Sequence, residues 1–169
     1  MHFQPILSHI FCCFISALIM AACNSSTESA SDTRTEDLSE KNIALVQKFI
    51  DAQMAGDGET MKKLVNDDFL ARNPAGDTLT IEEYATVWTT LSKTRANQDA
   101  GVFATNTQNV STGALAGEWV MFWGTYTAED LKSQEVIEVL WHADFMIKDA
   151  KISRSVTYFD IVDNNDSDS

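Results

Sequence analysis

Cysteine is nearly absent from the body of this 169-residue chain: there are three, Cys12, Cys13 and Cys23, all near the start. An internal disulfide framework and a cysteine-based metal site are therefore excluded downstream. Proline occurs twice, at Pro5 and Pro74, so long helices and strands can run uninterrupted. Seven glycines are scattered, and no Gly-rich phosphate loop is present. Basic residues are few, 12 Lys and Arg against 25 Asp and Glu, for a net charge of −13. Residues 1–22 carry none of these charges, so the whole acidic balance belongs to residues 23–169. Such a surface repels nucleic acid and anionic headgroups, and no nucleic-acid partner is expected. One histidine, His142, stands outside the first 22 residues. A single His supports neither a Ser-His-Asp or Cys-His arrangement nor a metal-ligand spacing, and no metal or cofactor is expected.

What is present begins with an apolar run, Ile6 to Ala22, closed by Ile19-Met20-Ala21-Ala22-Cys23. An apolar stretch of this length before small residues reads as a secretory leader over residues 1–22. Ala21-Ala22-Cys23 resembles the lipobox of bacterial lipoproteins, in which the cysteine is lipidated and becomes the mature N-terminus. That resemblance implies a protein of the bacterial cell envelope, touching the membrane through its lipid alone, or periplasmic if Cys23 stays unmodified. Residues 23–37 are Ser/Thr-rich and lack apolar periodicity. They read as a tether reaching about 20 Å, from about 5–6 Å times the square root of its length. The end, Asp163-Asn164-Asn165-Asp166-Ser167-Asp168-Ser169, has the acids of a calcium loop but not its Gly and terminal Glu, and reads as a solvated tail.

Residues 38–162 suffice for one domain. Asp37 with Glu40 opens a helix in which Ile43, Val46, Phe49, Ile50 and Met54 recur at helical spacing until Gly56. A short helix spans Glu59 to Val65, and a short strand Phe69 to Asn73 ends at Pro74. Thr80 with Glu83 forms a capping box, and the helix it opens carries Tyr84 and Trp88 on one stripe. The period then changes to two over Val102 to Thr112, Glu118 to Thr127, Gln134 to Ile147 and Lys151 to Val162. This predicts an α+β fold, three helices followed by an antiparallel meander. In the long strand, Trp141, Ala143, Phe145 and Ile147 share the row facing the helices, and His142 and Asp144 the other. In the strand before it both rows are apolar, Trp119, Met121 and Trp123 against Val120, Phe122 and Tyr126. With the first row placed inside, Val120, Phe122, Tyr126, Leu140 and Tyr158 are left to form a second apolar face. A homodimer through the sheet is then expected.

The last hairpin, Phe145-Met146-Ile147-Lys148-Asp149-Ala150-Lys151-Ile152 followed by Tyr158-Phe159-Asp160, resembles SnoaL-like members of the nuclear transport factor 2-like superfamily. So do Val46-Gln47-Lys48-Phe49-Ile50-Asp51, Gly56-Asp57 and Leu64-Val65-Asn66-Asp67-Asp68, in that order. The resemblance implies a cone-shaped, cystatin-like fold whose curved antiparallel sheet wraps three helices around a pocket. It also implies a range of activities: cyclases, isomerases, epoxide hydrolases, dehydratases and proteins without known activity. Steroid isomerisation, the best-understood of them, fails on position. Asn73 stands where the base Asp precedes Pro74, Phe49 where a Tyr donor is needed, and Ala143 where a protonated Asp is needed.

The expected pocket wall is Tyr84, Trp88, Trp119, Trp123, Trp141 and Phe159, with Ser155 and Thr157 as polar contacts. Arg72 and Asn73 fall near its mouth, as an exposed turn. His142 and Asp144, two apart on one strand, form a candidate acid–base pair, with Asp160 as a further candidate. As a polar spot on the far face they would instead be structural. Three functions stay open: binding of a small hydrophobic molecule without assigned chemistry, which leads; a cofactor-free lyase, isomerase or hydrolase using His142 and Asp144; and an envelope protein-interaction module.

Overall fold

A computed structural model describes residues 29–160; the leader, Cys23 and the acidic tail lie outside the described residues. The chain divides into two units, residues 1–36 and 37–169, and the whole sheet belongs to the second. Helix α1 (Ser29–Ala55) begins upstream of Asp37 and takes in residues that composition reads as tether. Once a helix is nucleated, each added residue costs little, so a polar flank can extend it. Gly56 at φ 65° ends α1, its N–H donating to the Gln53 carbonyl at 3.0 Å.

Helix α2 (Gly58–Leu64) is capped by Asp57, whose carboxylate accepts from the Thr60 N–H at 3.0 Å. Those hydrogen bonds to Thr60 hold the Asp57 carboxyl below its ordinary pKa. Strands β1 (Val65–Arg72) and β2 (Thr78–Thr80) form a hairpin. Helix α3 (Ile81–Leu91) opens with the capping box read from Thr80 and Glu83. Four long or middling strands and one short one complete the order: β3 (Arg95–Asp99), β4 (Val102–Val110), β5 (Gly117–Asp130), β6 (Val136–Lys148) and β7 (Lys151–Phe159).

The sheet runs β2-β1-β7-β6-β5-β3, with β4 also paired to β5. It is mixed rather than wholly antiparallel, because β1 lies parallel to β7 and inserts between β7 and β2 instead of closing an edge by itself. Strand β3 occupies the polar stretch that follows α3. Its short, polar sequence has no alternation to mark it, and pairing with β5 holds it extended.

The register of β5 on β6 decides the faces. Val120 opposes Phe145, Phe122 opposes Ala143 and Gly124 opposes Trp141. Directly paired residues share a face, so Val120, Phe122 and Tyr126 point toward the helices and are buried. Trp119 and Trp123 pair with Met146 and His142 and lie on the outer face. The expected assignment of β5 is thus reversed: Val120, Phe122 and Tyr126 belong to the core and cannot cover a partner. Against that inner face α1 brings Val46, Phe49 and Ile50, and α3 brings Ile81, Tyr84 and Ala85. Phe49 and Phe145 meet at 6.0 Å between centroids, and Phe122 and Phe145 at 6.2 Å. Each such phenyl, buried from water, contributes about 2 kcal/mol.

Candidate functional site

On the inner face the polar groups gather around one side chain. Tyr84, on α3, stacks on Phe49 at 5.9 Å and meets Phe69 edge-on at 6.0 Å. Its hydroxyl accepts from Gln53 Nε2 of α1 at 2.6 Å, both side chains being buried. Burial pushes the Tyr84 phenol up to about 12, while Trp88, Ser155, Gln53 and Thr157 around it draw it back. Tyr84 therefore stays protonated at neutral pH. Ser155 sits on β7 opposite Phe145 and Thr157 opposite Ala143, which puts both on the inner row. Ser155 is 1% exposed, and its Oγ lies near Tyr84 without forming a well-directed hydrogen bond to any group.

The walls around this cluster are aromatic. Trp88 meets Tyr84 at 6.2 Å and Tyr126 at 6.4 Å. Trp141 reaches across Gly124, where a Cβ would stand 2.6 Å from the indole nitrogen, and donates from Nε1 to the Ala100 carbonyl at 2.8 Å. Phe159 pairs with Trp141 at the end of β7 and is exposed. Tyr84, Trp88, Trp141 and Phe159 thus fall on the inner side, as the sequence suggests. Trp119 and Trp123 do not: the one-residue alternation of β5 carries both to the other face. Gln53, buried on α1 and bonded to Tyr84, gives no signal in the sequence, and Tyr126, expected on the second face, lies on this side, donating to Gln98 at 2.9 Å and accepting from Arg95 at 3.2 Å.

The acid–base candidates lie apart from this cluster. His142 Nε2 and Asp144 Oδ1 face each other at 2.8 Å on the outer face, off the line of a well-formed hydrogen bond and with no other partner. The imidazole is clamped between Trp123, parallel at 4.7 Å, and Tyr158 at 5.9 Å. Asp160 follows β7, exposed, its N–H reaching the Leu140 carbonyl at 3.3 Å. Asn73 is used in the β1–β2 turn, where its Oδ1 accepts from the Asp77 N–H at 2.9 Å. Phe49 and Ala143 are buried core. An open cleft of about 620 Å³ lies elsewhere, between α1 and the β3–β4 corner, with Asp51 and Gln98 on its walls. Gln98 is already committed there to the Met54 carbonyl at 3.0 Å. Among the described residues, no three His, Cys, Asp or Glu side chains converge as metal ligands would.

No family sequence model matches the chain, nor does any curated protein. Solved structures do match. A protein assigned as a SnoaL-like polyketide cyclase from Shewanella denitrificans superposes with a TM-score of 0.56 at 15% identity, covering 70% of this chain and 90% of that one. An epoxide hydrolase-like protein of M. tuberculosis gives 0.57 at 17% identity, over 72% and 84% of the two chains. A nuclear transport factor 2-like protein from Burkholderia xenovorans gives 0.54 at 17% identity, over 72% and 90%. At such identities the likeness carries architecture and no chemistry. Three helices on the inner face of an open mixed sheet, superposing on these structures, give this chain the fold of a SnoaL-like, nuclear transport factor 2-like domain.

Proposed function

We propose that this domain is an exported, lipid-anchored binding protein holding a small hydrophobic molecule with one hydrogen-bonding group against Tyr84 and Ser155. The observation that carries this reading is the buried polar cluster of the inner face, where Ser155 Oγ lies beside the Tyr84 hydroxyl without a well-directed hydrogen bond. A buried hydroxyl left unpaired costs about 1–3 kcal/mol, which a hydrogen-bonding ligand group would offset. A ligand group that hydrogen-bonds Ser155 and accepts from the Tyr84 O–H would recover that cost. Trp88, Trp141 and Phe159, partly exposed on the same side, would form its apolar walls. The interior aromatics already pack on one another, so entry requires these wall side chains to swing.

Binding is favoured over catalysis by the chemistry of the cluster. An amide, two hydroxyls, an indole and a phenol raised to about 12 surround the site, and none takes up a proton at neutral pH. His142 and Asp144, the residues of the enzyme reading, would serve only a substrate lying on the outer face.

The probe is 1-N-phenylnaphthylamine, a neutral apolar fluorophore with one N–H. Saturable one-site binding is expected, weakened about 10-fold in Ser155→Val, whose folding stability rises by about 1 kcal/mol as the unpaired hydroxyl is removed. Absence of saturable binding, or equal affinity in Ser155→Val, defeats the reading. Export and anchoring rest on Ala21-Ala22-Cys23. Cys23→Ala should release the protein from membranes, and continued membrane association would sink that part alone.

A further inference from the structure

Among the described side chains, every Lys and Arg but one is exposed; Arg95, at the start of β3, is partly buried. Its register opposite Asp130 puts it on the β5 row of Val120, Phe122 and Tyr126, the row that faces the helices. There Arg95 Nη1 donates to the Tyr126 hydroxyl at 3.2 Å, and the guanidinium carbon stands 5.7 Å from the centre of that ring. The Tyr126 hydroxyl in turn donates to Gln98 Oε1 at 2.9 Å, and Gln98 Nε2 donates to the Met54 carbonyl at 3.0 Å. The ring on which Arg95 rests is therefore tied to both β3 and α1.

A guanidinium drawn out of water keeps its charge, and such a charge ordinarily takes an acidic partner. Arg95 has none in contact. The ion pairs among the described residues are Lys62 with Glu59 and His142 with Asp144. Asp130 feels the charge of Arg95 but turns its Oδ1 to the N–H groups of Lys132 and Ser133, each at 2.9 Å. Asp99, at the other end of β3, accepts from the Gly101 N–H at 3.2 Å. The Tyr126 oxygen takes a single N–H of Arg95, and the other donors of the planar fork meet no acceptor among the described residues.

The same Tyr126 ring ends the aromatic wall of the inner site. Trp88 meets it edge-on at 6.4 Å and meets Tyr84 at 6.2 Å. Val139, opposite Tyr126 on β6, and Trp141 continue the wall and are partly exposed. One indole thus stands between the Tyr84 and Ser155 cluster and a positive charge. We infer that the ligand of the inner site is a hydrophobic acid, aromatic or aliphatic, whose apolar body lies along Trp88 and Trp141 and whose anionic head takes the free donors of Arg95. This rests on the hydrophobic-molecule reading and adds the charge of the ligand. An anionic head presents two oxygens to the guanidinium fork, and the bonds it accepts are charge-assisted. Partial burial strengthens their attraction relative to open water. A neutral ligand would leave the fork unmet, and an amine would bring a like charge against it. The net charge of −13 opposes the approach of any anion, but at 0.1 M salt that field is screened over about 10 Å, and the contact at Arg95 is much shorter.

The test is fluorescence titration of the full chain with two probes of one ring skeleton. N-phenyl-2-naphthylamine is neutral, and 6-anilinonaphthalene-2-sulfonate adds a sulfonate at the end remote from its N–H. In Arg95→Gln, which keeps an N–H for Tyr126, the anionic probe should bind about 10-fold more weakly and the neutral probe within about 2-fold of the parent. Arg95→Lys, which keeps the charge and loses the fork, should weaken the anionic probe by about 3-fold. Unchanged affinity of Arg95→Gln for the anionic probe overturns the inference. So does an equal weakening of both probes, which would mean that Arg95 acts only through the fold. A chain that binds the neutral probe and not the anionic one also overturns it, and leaves the hydrophobic-molecule reading standing. A chain that binds neither defeats that reading and this inference with it.

Discussion

The same three strands present two faces of opposite behaviour, and alternate residues of one strand differ more than residues of different strands. On β6, Ala143 and Phe145 are buried under the helices while Leu140 is open to water. On β5, Val120 and Phe122 are in the core while Trp119 and Trp123 lie on the far side. The inner face sequesters its polar groups, and its one titratable member in the cluster, Tyr84, is held neutral by burial. The outer face keeps its histidine between two rings, with a carboxylate beside it. Apolar composition is therefore shared by both faces, and coverage by α1 and α3 is what separates them. A covered row makes a core, and an uncovered one makes a surface with rings on it.

Stability is the sharpest way to break this comparison. Phe145→Ala should cost about 3–5 kcal/mol, because it opens a cavity among Phe49, Phe122 and Ala143. Trp123→Ala, the larger deletion, should cost only about 1 kcal/mol in the isolated subunit. Urea unfolding of both variants at low concentration checks the contrast, and equal costs would erase the distinction between faces.

A smaller effect comes from alkali. The folded-state pKa of Tyr84 lies above its unfolded value, so its contribution is complete below about pH 10 and is lost as pH rises toward 12. Two pKa units correspond to about 3 kcal/mol. Tyr84→Phe should therefore lose less stability than the parent between pH 9 and 11.5, and parallel curves would show that the phenol is not desolvated.

The smallest effect lies at the turn that sets the register of both faces. Asp149 and Ala150 have φ of 54° and 58°, the left-handed pair of a two-residue hairpin turn. Alanine is disfavoured there, so Ala150→Gly should stabilise by about 0.5–1 kcal/mol, read as a rise in the thermal midpoint. A fall would mean that the turn draws on the alanine methyl for packing.

Much of this architecture is legible in the sequence, because local physics speaks through spacing. Thr80 and Glu83 announce the start of α3, and the alternation through Trp141, Ala143 and Phe145 marks the inner row of β6. The same alternation puts His142 and Asp144 outside, and the structure agrees. On β5 the alternation is present but its polarity is not, since Trp119, Met121 and Trp123 are as apolar as Val120, Phe122 and Tyr126. Period two says which residues share a face and is silent on which face the helices cover. For the same reason two of six expected pocket-wall residues, Trp119 and Trp123, fall on the wrong side. Gln53 escapes notice because a polar residue on an amphipathic helix gives no sign that a buried phenol, 31 positions away, will meet it.

By itself, then, the sequence determined the helix caps, the last hairpin and most of the element order, all of which depend on residues close along the chain. Only the tertiary structure decided that β1 inserts parallel to β7, which β5 row is inside, and that Tyr84, Gln53, Ser155 and Thr157 gather at one place. Those outcomes depend on pairings between strands and helices far apart in sequence. Several of them were equally compatible with the local pattern until the packing of Phe122 against Phe145 chose one.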